Sequence, residues 1–297
     1  MNLAIWDIES SSASTDFGSI IEIGGVLVDE NFKEKDRFNL RCRLPEGEIF
    51  QAMALIVNKT SIKKLTQANL SHYQMLAEVE KIFKKWSPAI FLGWSNIGFD
   101  DEMIRKEFFK GIRYPYLTNA APNKRHDGIN IARAAYAVDP NILEVEFNEK
   151  NNAVFKLESL ARMQGIDSSD AHSALADAEM TAKVLSIVKK KQEHTWNDFL
   201  KTANKSDTET IIKKGDIFTL NEYYYGKSRL HLVVPLHPKY CMHPIYQGWY
   251  YSVDLRTDVE PLLNLSINEL KIEMKKSPKF LRTCLLYTSD AADDPTC

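Results

Sequence analysis

Hydrophobic and polar positions alternate with a strand-like period at the start of the chain and with a helical period further on. Leu3, Ala4, Ile5, Trp6 and Ile8 form a short apolar run interrupted by Asp7 and closed by Glu9, and Ser10, Ser11 and Ser12 punctuate it. Residues 20–28 form a second β-rich run, whose Gly24-Gly25 pair implies close packing or a bulge. Residues 38–44 predict a third strand. Helical spacing follows over 60–65 and 75–86, with Leu76, Val79, Ile82, Phe83 and Trp86 on one face and Pro88 as the stop. Residues 89–94 have the length and content of a buried strand, broken by Ser95-Asn96. Helices are predicted over 100–110 (closed by Gly111), 129–138 (ended by Pro140), 156–163 (ended by Gly165) and 173–191, which is long and Ala-rich. Strands that open as hairpins and then alternate with helices predict an α/β domain on a mixed sheet flanked by helices, over residues 1–191.

The pattern changes after Lys189-Lys190-Lys191. Residues 192–210 are polar, with little periodicity beyond 196–200, and read as a linker. From Ile211 the chain is aromatic, β-rich and punctuated by Pro and Gly, which predicts a small all-β unit to about residue 263, then a short helix over 267–276; the second domain spans 211–283. The last fourteen residues, 284–297, have no periodicity and hold two of the four cysteines. They look like a translated sequencing-adapter tail, so the natural sequence is expected to depart near Thr283.

Composition narrows the class. A chain of 297 residues fits about two domains. A formal net charge of −2 excludes a uniformly basic nucleic-acid wrapper but not a local basic groove. The four cysteines are scattered without a CxxC pair, so neither a disulfide framework nor a zinc ribbon is expected, and a reducing, cytoplasmic setting fits. The N-terminus lacks the basic and apolar regions of a secretory signal. No apolar run approaches the roughly 18 residues of a membrane span.

The candidate chemistry lies in acids. Asp7 and Glu9 are two apart, so on a strand both carboxylates leave the same face. Such neighbours cannot both ionise cheaply without a cation between them. Asp100 opens a helix just after a buried strand, where α/β sheets place their sites. The adjacent Asp101 and Glu102 read as the ordinary acidic preference of a helix start. His172 and Asp177 lie at the start of the Ala-rich helix, where Ser173 or Asp170 could serve as a cap. Ala174, Ala176, Ala178 and Ala182 let that helix approach other backbone closely, which would bring Asp177 up to the sheet.

In order and spacing, Asp-x-Glu on the first strand, Asn-x-x-Phe-Asp after a middle strand and His-x(4)-Asp late in the domain resemble the DEDDh exonucleases, over residues 1 to about 190. Within that family the chain is similar to the exonuclease I branch. The motifs concerned are Gly-Trp-Ser-Asn-Ile-Gly-Phe-Asp-Asp-Glu (93–102), Arg-Ala-Ala-Tyr-Ala (133–137) and Leu-Glu-Ser-Leu-Ala-Arg-Met-Gln-Gly-Ile (157–166). Val-Val-Pro-Leu-His-Pro (233–238) and residues 253–265 extend the similarity into a second domain. Ser10 stands where Thr is usual in the family.

The resemblance implies an RNase H-like exonuclease domain followed by a partial SH3-like β-barrel, without the helical third domain of that branch. It implies that Asp7, Glu9, Asp100 and Asp177 hold two Mg²⁺ ions (Mn²⁺ may substitute), with Asp7 bridging. His172 would be the general base, and Glu9, Ser10, Asn96 and Phe99 would contact substrate. The implied reaction is 3′→5′ hydrolysis of single-stranded DNA to 5′-mononucleotides in DNA repair and recombination, by a monomer without membrane association. The acidic tail of single-stranded DNA-binding protein is an implied partner. An RNA trimmer of the oligoribonuclease type and a non-catalytic single-strand-binding module are the competing readings. Aromatic residues of the second domain (Phe218, Tyr223, Tyr224, Tyr225, Tyr240, Tyr246, Trp249, Tyr250, Tyr251) with Lys213, Lys214, Lys227, Arg229 and Lys239 among them would suit single-strand binding, although several should be core.

Overall fold

β1 (Asn2–Ser10) runs antiparallel to β2 (Ile20–Val28), which in turn pairs antiparallel with β3 (Glu34–Arg41). β2 is buried along its whole length, as befits a strand covered on both faces. β3 lies earlier than the 38–44 expected from apolar content. The register Val28↔Glu34 to Glu22↔Arg41 is set by the tight turn at Asp29, whose carboxylate accepts N–H bonds from Asn31 and Lys33. Its Glu34, Lys35, Asp36 and Arg37 occupy the polar edge of the sheet, where a strand needs no apolar alternation.

Two short helices follow, α1 (Ala52–Val57) and α2 (Ile62–Gln67). The first was not expected, having one buried side chain, Leu55; the second starts two residues later than the 60–65 pattern because Ser61 caps it, accepting from Lys64 N–H. α3 (His72–Trp86) opens with a reciprocal Ser71–Gln74 capping box and buries Met75, Leu76, Val79, Phe83 and Trp86. Phe83 stands edge-on to Trp6 (5.5 Å between centroids) and to Phe91 (5.0 Å), which fixes α3 against one face of the sheet. β4 (Ala89–Gly93) adds in parallel to β1, α4 (Asp100–Lys110) keeps its predicted limits, and β5 (Lys124–Asp127) adds in parallel to β4. Among the described residues the sheet is five-stranded and mixed, in the order β3-β2-β1-β4-β5.

α5 (Gly128–Val138), the two-residue strands β6 (Glu146–Phe147) and β7 (Ala153–Val154), which were not expected, and the predicted helices α6 (Leu157–Met163) and α7 (Ala174–Lys191) follow. The start of α7 rests on Gly24 of β2: a Cβ there would lie 2.3 Å from Leu175 N. Only a residue without a side chain lets the helix backbone come this close.

The stretch 192–210, read as a linker, is largely helical, and the division of the chain into two compact units falls within it. It forms α8 (Glu193–Leu200) and the start of α9 (Lys205–Lys214). Trp196 is 2% exposed and meets Phe32 at a tilt, 5.3 Å between centroids, while Phe199 meets His126 edge-on. Two aromatic anchors dock α8, although its surroundings in sequence are polar.

The computed structural model describes residues 1–169, 171–237, 249–275 and 281–285. The chain divides into two compact units, one over Met1–Ala203 and one beginning at Asn204. The second unit holds α9, β8 (Phe218–Tyr224), β9 (Lys227–Pro235), β10 (Trp249–Asp254), α10 (Glu260–Leu263), α11 (Ile267–Lys275) and β11 (Leu281–Leu285). Its strands form an antiparallel sheet in the order β11-β10-β9-β8. Ile212 and Tyr250 form its small core, with Phe218, Leu220 and Leu236 packed on them. Beside it, buried Asp254 accepts from Arg256 and Arg282 and meets His231 Nδ1 at 2.8 Å, and these partners hold its carboxyl below the ordinary range. Cys284 and Leu285, read with the tail, instead continue β11 opposite Tyr250 and Trp249. Residues 286–297, Asp170, Lys239, Tyr240, Cys241 and Tyr246 lie outside the described residues. Cys42 is a free, buried thiol. Among the described residues no helix is long and apolar enough to cross a membrane.

Candidate active site and metal centre

The site forms where three elements meet at the end of β1. Asp7 and Glu9 leave the same face of this strand; across the β1–β2 pair they stand opposite Gly24 and Glu22. The absence of a side chain at Gly24 admits the first turn of α7, and Asp177 lies in that turn. As a result Asp7, Glu9 and Asp177 each offer a carboxylate oxygen within 4.8 Å of the others. Asp100 opens α4 from the far side of β1, and its Oδ1 accepts the Ile8 N–H at 3.2 Å.

Crowding and burial set the electrostatics. Asp7 is held well above the ordinary carboxylate range by burial and then by the charges of Asp100, Asp177, Glu9 and Glu22. Burial and the charges of Asp177 and Glu22 push Glu9 up to about 8, against the pull of Arg41. Asp177 rises to about 6 through burial, opposed by the His172 N–H and charge. Asp100 also rises, chiefly through burial, while backbone N–H bonds from Asp100 and Ile8 hold it down. Such a cluster disfavours its own ionisation. Its donors are all carboxylate oxygens, the ligand type of hard divalent cations, so the residues fit a metal centre of the Mg²⁺ or Mn²⁺ kind.

His172 adopts a left-handed backbone conformation (φ +71°), uncommon for a residue with a side chain. Its N–H points to Asp177 Oδ1 at 3.4 Å. Together with Arg41, Asn58, Lys59, Lys64 and Ser173 it lines a cavity of about 400 Å³. Ser173 holds the cap position of α7 without capping; its hydroxyl donates to Glu22 Oε1 at 3.3 Å.

The other three sequence candidates make contacts within the protein. The Ser10 hydroxyl donates to the Ser12 carbonyl at 2.8 Å. Asn96 is buried, with Nδ2 3.5 Å from Asp101 and Oδ1 lacking a hydrogen-bond partner among the described residues. Phe99 precedes α4 and packs partly buried against the core.

Asp101 is not a surface acid of a helix start. It is 3% exposed, ion-paired with Arg125 at 3.4 Å, accepts from Thr118, and is pushed up to about 6 by burial. Sequence reasoning also missed Glu22, 1% exposed and paired with Arg41. Its signal was available: it is a lone charge in the otherwise apolar Ile-Ile-Glu-Ile-Gly-Gly run. Lys59 and Asn58 had no such signal, because only the tertiary fold brings their turn to the site.

Residues 5–185 match the exonuclease family. Exodeoxyribonuclease I of Haemophilus influenzae is 24% identical over 278 residues, covering 91% of this chain and 57% of that protein. The crystal structure of E. coli exonuclease I in complex with a dT13 oligonucleotide has the same fold (TM-score 0.77, 21% identity, 97% of this chain, 64% of that chain). So does the zinc-ion-bound form of the E. coli exonuclease I–single-stranded DNA complex (TM-score 0.73, 21% identity, 96% of this chain, 63% of that chain). The chain spans 57% and 58% of the length of the first two curated relatives it matches.

Proposed function

The chain belongs to the exonuclease family, and from that membership we propose that it is a metal-dependent 3′→5′ exonuclease that hydrolyses single-stranded DNA to 5′-mononucleotides, in DNA repair and recombination. One observation carries the reading: Asp7, Glu9 and Asp177, drawn from a strand and a helix 170 residues apart in the chain (177 − 7), converge within 4.8 Å beside Asp100. A pure binding module has no use for carboxylates that repel one another and one strand of DNA besides.

In this proposal Asp7, Glu9, Asp100 and Asp177 would together hold two Mg²⁺ ions. Four carboxylates carry −4 and two such ions +4. Bound there, divalent cations supply Lewis-acid stabilisation of the attacking and leaving oxygens of an in-line displacement. The protein's own part is to position and to move a proton. His172 accepts the proton of the attacking water, and such general-base help is worth roughly 10²–10⁴ in rate. The bond from Ile8 N–H keeps Asp100 fixed and favours its charged form. Glu9, Ser10, Asn96 and Phe99 are the proposed contacts to the terminal nucleotide, with the unpartnered Asn96 Oδ1 available as an acceptor.

Single-stranded DNA is the proposed partner, and the relative crystallised with dT13 supports it. The β8–β9 hairpin tip supports it independently. Tyr225 is 88% exposed there, Tyr224 carries the Arg229 guanidinium 3.8 Å from its ring centroid, and Lys227 adjoins. Exposed rings with cations between them suit stacked bases and phosphates. Tyr250, 2% exposed, belongs to the core. The acidic tail of single-stranded DNA-binding protein is a second proposed partner, by resemblance to the exonuclease I branch.

The test is a 5′-labelled single-stranded DNA oligomer, the matching RNA and a blunt duplex, each incubated with Mg²⁺ or EDTA. A ladder shortening from the 3′ end on single-stranded DNA with Mg²⁺ is expected. A ladder mainly on RNA would replace the substrate, and binding without cleavage in any metal would replace the enzyme by a binding module.

A further inference from the structure

We infer that Lys59 is a positioning residue that sets His172 in place through the Ala171 carbonyl; the inference rests on the general-base role proposed for His172. The turn that closes α1 is tight: Asn58, Lys59 and Thr60 N–H groups return to the Ala54, Ile56 and Leu55 carbonyls at 2.9, 3.2 and 2.9 Å. Lys59 has φ +50°, a left-handed conformation that glycine or asparagine takes more readily. A lysine there offers what neither can, an ammonium on a long stem.

The three side chains of this turn reach three different parts of the site. Asn58 Nδ2 donates to the Ser10 carbonyl at 2.9 Å, one residue beyond Glu9. Thr60 Oγ1 accepts from Arg41 Nη1 at 3.3 Å, the arginine paired with Glu22. Lys59 Nζ donates to the Ala171 carbonyl at 3.1 Å, one residue before His172.

That last contact matters because of where it falls. Between α6 and α7 the described part of the segment 164–173 has no helix or strand to fix it. Its internal bonds, such as Ala171 N–H to Ser168 O at 3.1 Å, shape the loop but do not tie it down. Among the described residues the segment is held at its start by the Gln164 side chain on the Glu144 backbone, and near His172 by Lys59 at Ala171 and Glu22 at Ser173. His172, itself left-handed, is thus held between a carbonyl gripped by Lys59 and its own N–H on Asp177. The Lys59 charge also favours the ionised form of Asp177. A general base works only when its ring nitrogen is within hydrogen-bond reach of the water. A tether on the preceding residue controls that reach.

The experiment pairs two readouts on the full chain for wild type, Lys59→Met and Lys59→Arg. Methionine keeps the stem and removes the donor; arginine keeps a donor. Single-strand cleavage is expected to lose about 10- to 100-fold in kcat in Lys59→Met, the scale of a misplaced catalytic group, with KM unchanged and with Lys59→Arg recovering most of the loss. Amide exchange, read by mass spectrometry, is expected to quicken over residues 166–173 in Lys59→Met and stay unchanged in α3. A higher KM at unchanged kcat would make Lys59 a phosphate contact and overturn the inference. So would unchanged exchange in the loop. If the wild-type chain cleaves no substrate, the exonuclease reading fails on its own, and the exchange result still decides whether Lys59 tethers the loop.

Discussion

At the scale of single residues, the site is defined by charge that the protein alone does not balance. Glu9 stands at about 8 against an ordinary 4.5, and Asp177 at about 6 against 3.8. The folded protein therefore keeps protons that the unfolded chain releases. Where the folded state binds more protons, stability falls as pH rises. For these two groups the full stability is present below about pH 4 and is lost progressively as pH rises toward 8. A divalent cation among the carboxylates reverses the penalty by favouring their ionised forms. The metal-free protein is thus expected to melt at lower temperature at pH 8 than at pH 5, and Mg²⁺ to raise the melting temperature more at pH 8. Melting curves with EDTA and with Mg²⁺ at the two pH values check this; an Mg²⁺ effect that is equal at both, or larger at pH 5, contradicts it.

At the scale of elements, Gly24 decides whether the site exists. A methyl group there would meet Leu175 N at 2.3 Å, and the backbone on the other side cannot rotate away. Gly24→Ala should lower stability by about 1–3 kcal/mol, the range for overpacking. It should also displace the start of α7 and with it Asp177. Denaturation and cleavage rates on the same preparation measure both; a variant with wild-type stability and rate would remove Gly24 from the construction of the site. The same elements show what the sequence made legible. β2 and α4 appear at their predicted limits, because a strand apolar but for Glu22 and a helix closed by Gly111 carry strong local signals. α8 was invisible because two aromatic side chains, Trp196 and Phe199, dock it within a polar stretch. β3 was misplaced because an edge strand need not alternate. The four acids and His172 could be picked out by spacing. Glu22 carried a signal that went unread, a lone charge in an apolar run, whereas Arg41 and the turn at Asn58–Thr60 carried none, since hairpin register and loop packing bring them there.

At the scale of the whole molecule, the two units offer different chemistry. The first, Met1–Ala203, holds the carboxylates in a mixed sheet between helices, and the match to the exonuclease family falls within it. The second carries exposed rings and cations on a hairpin tip, features suited to holding a strand without cutting it. Cleavage is therefore expected to depend wholly on the first unit's acids. The most direct measurement is titration of Mg²⁺ into wild-type and Asp177→Ala protein, followed by calorimetry and, in the same samples, by hydrolysis of labelled single-stranded DNA. Wild type should bind the ion and cleave in proportion to its occupancy, while Asp177→Ala should stay folded, bind Mg²⁺ far more weakly and leave the strand intact. Wild-type cleavage by Asp177→Ala, or cleavage by wild type that persists in EDTA, would contradict the metal centre.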